Sequence, residues 1–153
     1  MSYTTADGRR QVLDAVAAAA ADQLGIAVAY LGGAYEQLDD YAAERLEEQL
    51  FRPVQLAYGR ARRVYTEFAQ HHDLAVHSFE QQQPHVRAHD ARGLIERAVE
   101  AVARADGVLG GLQDSMLPIE VGDAELRAGI EQVRVLLGDV RDRARQLERT
   151  LGR

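Results

Sequence analysis

The stretch LRAGIEQVRVLLGDVRDRARQLERTL at residues 126–151 settles the fold class. Its apolar residues Leu126, Ile130, Val133, Leu137, Val140, Ala144, Leu147 and Leu151 alternate steps of four and three, which is the seam of an amphipathic helix and the spacing of a coiled coil. Asp123 stands where an N-cap belongs, and Arg141, Arg143, Arg145 and Arg149 crowd the C-terminal end, where the helix dipole favours positive charge.

Working back from Pro118, a second seam runs through Ala91, Leu94, Ala98, Val102, Ala105, Leu109, Leu112 and Met116. A third follows Pro53 through Val54, Ala57, Ala61, Val64, Phe68, His71 and Ala75, and reaches the polar Gln81-Gln82-Gln83-Pro84 segment. The first seam, Leu13 to Leu50, passes straight through Gly32 and Gly33. Proline breaks helix interiors, so the three prolines Pro53, Pro84 and Pro118 divide the chain into four helices at about 8–50, 53–81, 85–117 and 123–151. An alternative puts the first turn at Gly32-Gly33 and makes Pro53 a kink. Folding back at Pro53 would set Glu36, Asp39, Asp40, Glu44, Glu47 and Glu48 against Arg52, Arg60, Arg62 and Arg63, which favours the proline boundary.

The expectation is an all-α fold: one domain over 1–153, an antiparallel up-down-up-down four-helix bundle with an extended first helix of roughly 60 Å. In that order the histidines and Arg87, Arg92, Arg141, Arg145 and Arg149 gather at one end, and Glu44, Glu47, Glu48, Asp114, Glu120, Asp123 and Glu125 at the other. LGGAYEQL at 31–38 echoes LGGLQDSM at 109–116, a hint of a duplicated helical hairpin.

Composition removes several functions. Without cysteine there are no disulfides, thiolate sites or cysteine nucleophiles. A net charge of −6 works against nucleic-acid binding. The most apolar stretch, Leu24 to Tyr35, falls short of the roughly 20 residues a membrane span needs, so the chain is expected to be soluble and cytoplasmic. Every basic residue is arginine and alanine abounds, which fits a GC-rich bacterial source. No phosphate loop, His-Glu-x-x-His or Gly-x-Ser-x-Gly motif occurs. Ferritin-like carboxylate bundles need Glu-x-x-His on two helices, and none is present: Glu67 and His71 are spaced i, i+4.

Two functional expectations remain. The first is a non-catalytic bundle acting by self-association or with a protein partner, through a surplus apolar face of the first helix and as a twofold homodimer. The alternative starts from the five histidines, all between His71 and His89. A reversal at Gln82 to Pro84 would bring His77 towards His85 and His89, and an i, i+4 histidine pair with a third imidazole suits a divalent zinc, nickel or copper ion. His71, on the seam, is expected to be an interior histidine.

Overall fold

The computed structural model describes residues 4–76, 79, 84, 86 and 89–151. Among them the protein is all-α. Helix α1 spans Thr5–Gln37, α2 spans 40–71, α3 spans Ala91–Asp114, α4 is the single turn Leu117–Glu120, and α5 and α6 span Ala124–Leu137 and Val140–Leu151.

The first boundary differs from the expected one in an instructive way. α1 stops at Leu38, whose backbone turns extended, and α2 starts from Asp39, whose Oδ1 accepts the Ala42 N–H at 2.8 Å. Gly32 and Gly33 stay inside α1, and Pro53 stays inside α2. A proline in a helix interior lacks an N–H and presses its ring on the carbonyl four residues back. Here the turn ahead of it, Glu47–Phe51, is π-helical, so the Arg52 N–H donates to the carbonyl of Glu47, five residues back. That wider turn makes room for the ring. A second π-helical stretch, Ala18–Leu24, lies in α1. The acid–base pairing expected from a fold at Pro53 is not formed: among the described residues no ion pair joins Glu36–Glu48 to Arg52–Arg63.

The other ends follow from caps. α2 ends at His71 in a Schellman turn, with the Leu74 N–H on the Ala69 carbonyl at 2.8 Å and Asp73 left-handed at φ 55°. It therefore falls short of the expected residue 81, although residues 77, 78, 80 and 81 lie outside the described set. α3 begins at Ala91 because Asp90 caps the Gly93 N–H. It ends at Asp114, short of 117, before Met116 at φ 68° and the turn that carries Pro118. Asp123 caps α5, as its position in the sequence suggested, by accepting the Leu126 N–H at 2.7 Å. Gly138 and Asp139 interrupt the last helix between α5 and α6, yet the seam crosses them without a slip: Leu126, Ile130, Val133, Leu137, Val140, Ala144 and Leu147 are all buried.

Contacts between named residues fix how these helices lie. Along α1 and α3, Gln37 meets His89 and Gln23 meets Arg104, and Gly8 meets Val121 just after α4. Between α1 and α2, Gly25 lies by Tyr58 and Gly32 by Phe51. Between α2 and α5, His72 meets Asp123 and Val64 fills the space left by Gly129. Arg134 of α5 holds Asp106 of α3 at 2.8 Å and Gln113 at 2.7 Å. In the first three of these pairs, numbers rise along one helix as they fall along its neighbour.

The expected up-down-up-down order does not survive these contacts. The carbonyl of Ala75, just after α2, accepts from Arg10 near the start of α1, whereas the carbonyl of His89, just before α3, accepts from Gln37 at its end. Ala75 and His89 thus lie at opposite ends of α1, where a reversal between them would put both at one end. Between them Phe79 packs on Tyr65, with ring centroids 4.9 Å apart, and Val86 packs against Gly33 and Leu94. The 15 residues from 75 to 89 can reach roughly 50 Å when extended, ample for a helix the length of α3 at about 36 Å.

The core runs the length of the molecule through Leu13, Leu24, Leu31, Leu46, Leu50, Leu94, Leu109, Ile130 and Leu147, each nearly or wholly inaccessible. Thr5–Gln37 is long and apolar enough, by length and composition, to cross a membrane. In this fold its Leu13, Leu24, Ala27 and Leu31 are core residues.

Candidate metal centre

Where α2 ends and α5 begins, four polar side chains meet. The Schellman turn stops α2 so that His71 and His72 sit on its last turn, and the Asp123 cap fixes the first turn of α5 opposite them. His72 Nε2 lies 3.0 Å from Asp123 Oδ2. His71 Nδ1 lies 3.6 Å from the same oxygen and 3.2 Å from Glu125 Oε2. One ligating atom from each of His71, Asp123 and Glu125 lies within 4.8 Å of the other two.

The two histidines have different surroundings. His72 is sheltered, its side chain 14 % exposed, with the Phe68 ring 4.6 Å away. His71 is 47 % exposed, contrary to the expectation of an interior histidine, because the seam residue that faces inward on this turn is Phe68 and the helix ends before another can follow. Burial alone would push the Asp123 carboxyl up. The Leu126 N–H, the hydrogen bond and charge of His72, and His71 outweigh it and hold the carboxyl below the usual aspartate value. Asp123 therefore serves three partners as a carboxylate, with Oδ1 committed to the helix cap and Oδ2 to the imidazoles.

The sequence pointed to other histidines. His77 and His85 lie outside the described residues. His89 is partly buried at the start of α3, beside Gln37, at the far end of the molecule from His71 and His72. Beside Gly33 the space is filled by Val86 and Leu94. His71 and His72 also stand beside Asp123 and Glu125 rather than among the arginines, since α2 and α5 bring their facing ends together. Asp123 and Glu125 were both visible in the sequence as acids of a helix start. What could not be read was that this start faces the end of α2.

Compared with known proteins, the chain matches no family model, and no curated protein or solved structure shows significant similarity to it.

Proposed function

We propose that the protein is an antiparallel four-helix bundle with one long crossover, and that it binds a divalent transition-metal ion through His71, Asp123 and Glu125. The observation that carries this reading is the spacing of the His71 Nδ1 contacts, 3.2 Å to Glu125 and 3.6 Å to Asp123. A charge-assisted N–H···O bond prefers about 2.7–2.9 Å. Donors held at about 2.0–2.2 Å around a tetrahedral zinc ion lie about 3.3–3.6 Å from one another. The pair brackets the second value and misses the first.

Chemistry supports the same assignment. One imidazole with two carboxylates is a borderline-to-hard donor set that suits zinc or nickel, and the two negative charges offset those of the ion. His72 is placed to donate to Asp123 Oδ2, the kind of hydrogen bond that orients a ligating carboxylate. Three protein donors leave a fourth position for water. The ion would tie the end of α2 to the start of α5, so binding would stabilise the fold by mass action, by about 2.7 kcal/mol at a hundredfold excess over Kd.

Titration of the untagged protein with zinc, nickel and copper, followed by calorimetry and thermal melting, tests this. One equivalent should bind and raise Tm. Binding should be lost in His71→Ala and in Glu125→Gln, should weaken as pH falls because protons compete for the imidazole, and should persist when His77, His85 and His89 are all changed to Ala. The reverse pattern would move the site to the crossover histidines, and no binding by the parent chain would end the metal reading.

A further inference from the structure

The surface expected to drive association, the apolar face of the first helix, is largely taken up: Ile26, Val28 and Tyr30 pack against the core, and from Leu24 to Tyr35 the large apolar side chain left exposed is Tyr35 at the end of the helix. The exposed aliphatic side chains lie elsewhere. Leu56 of α2 is 57 % exposed and Val135 of α5 is 68 % exposed, and the two line one shallow groove between α2 and the α5–α6 helix, floored by Pro53 and Leu136. Apolar side chains from two separate helices meeting at solvent are a mark of a contact surface.

The charges around this groove say what fits it. Glu48 and Arg52 line it from α2, Asp139 and Arg143 from the other side. Because numbers fall on one helix as they rise on the other, counting by four from the Leu56–Val135 level sets Arg52 across from Asp139, and the next turn sets Glu48 across from Arg143. Each level carries one acid and one base, and the signs swap from one level to the next. A twofold axis along the groove places each residue of one copy against the residue from the opposite wall of the other. Leu56 then faces the partner's Val135, Arg52 faces the partner's Asp139, and Glu48 faces the partner's Arg143. Two copies of a chain of net charge −6 repel one another over most of their surface, and this patch is neutral and self-complementary.

We propose that the groove between α2 and α5–α6 is the interface of a parallel twofold homodimer. The Asp139–Arg143 pair within one chain, at 3.9 Å, is a loose surface contact that can be exchanged for the intermolecular one at little cost. The interface is independent of the metal centre, which lies at the end of α2 some four turns away.

Sedimentation equilibrium of the full chain over a wide concentration range is the test, with circular dichroism showing that each variant keeps its helix content. A monomer–dimer equilibrium is expected. Leu56→Asp and Val135→Asp should each weaken it by about tenfold or more. Arg52→Glu should weaken it, and Arg52→Glu combined with Asp139→Arg should restore it, since the twofold sets the two swapped charges against each other. A parent chain that stays monomeric overturns the proposal and leaves the groove to a different partner. A dimer indifferent to Leu56→Asp overturns the surface, and failure of the double swap to restore it overturns the parallel register.

Discussion

Two places in the first half of the chain compete to be its bend. Pro53 carries the strongest helix-breaking residue in the sequence, yet the helix runs through it; Leu38-Asp39 contains neither proline nor glycine, yet the chain turns there. At Pro53 the π-helical turn absorbs the missing donor while Leu46, Leu50, Val54 and Ala57 continue the buried stripe on both sides. At Leu38 the stripe gives out: Leu31 and Ala34 are buried, but Tyr35, Glu36 and Gln37 are exposed, and the next residue able to cap a helix is Asp39. Burial and capping, more than the breaker residue, decide where a helix ends.

The largest test of that contrast is Leu31→Ala against Tyr35→Ala. Both positions belong to the same sequence seam, but Leu31 is 1 % exposed and Tyr35 is 41 % exposed. Chemical denaturation should show a loss of about 2–5 kcal/mol for Leu31→Ala. Tyr35→Ala should lose well under half as much, and equal losses would put the bend beyond Leu38.

Asp39→Ala comes next. It removes the acceptor of the Ala42 N–H and should cost about 1 kcal/mol, within about 0.5–2. A neutral result would mean that the bend is held by packing alone. Pro53→Ala gives the sharpest sign. In a regular helix interior, replacing proline by alanine gains about 3 kcal/mol. Here the backbone already accommodates the ring, and the substitution should instead lose about 0.4–1 kcal/mol by loosening the unfolded chain.

The smallest effect belongs to the cap at the other end, Asp123. Its carboxyl is held below the ordinary value, so between pH 3.8 and that lower value the unfolded chain binds more protons than the folded one. The stability it contributes is present above the unfolded value and is lost as pH falls through the folded one. Asp123→Asn keeps a capping side chain and loses the charge. Its deficit against the parent, measured by acid titration of stability, should shrink as pH drops into that window and vanish below it.

Much of the second half was legible. The seams of α3 and of α5 with α6 are buried nearly residue for residue, because there the caps Asp90 and Asp123 and the left-handed residue Met116 agree with the apolar pattern. In the two segments 31–38 and 109–116, Leu31 and Leu109 are both buried, and each segment closes its helix within a residue of the same place. The first half was misread because its seam has no gap at Leu38 and because charge was used to choose the turn, although exposed pairs contribute only about 0–1 kcal/mol each. The end of α2 was missed for a local reason, since an aspartate, Asp73, occupies the left-handed position where glycine is usual. Both errors reached the site. With α2 extended to residue 81 and the order alternating, His71 and His72 could not be seen to meet Asp123 and Glu125.

The pairing of the helices also bears on how the protein folds. α3 is the most extensive neighbour of α1, and α5 and α6 lie more towards α2 than towards α3. The joining contacts are therefore far apart in the chain: 51 residues from His72 to Asp123, 81 from Gln23 to Arg104 and 112 from Arg9 to Val121. A helical protein joined only by short hairpins gathers its core from near neighbours and folds fast; this one must close long loops before its core contacts reward the closure. Its refolding rate should fall below the range usual for helical bundles of its size, with the step that docks one hairpin on the other, at Val64 against Gly129 and Gly33 against Leu94, setting the pace.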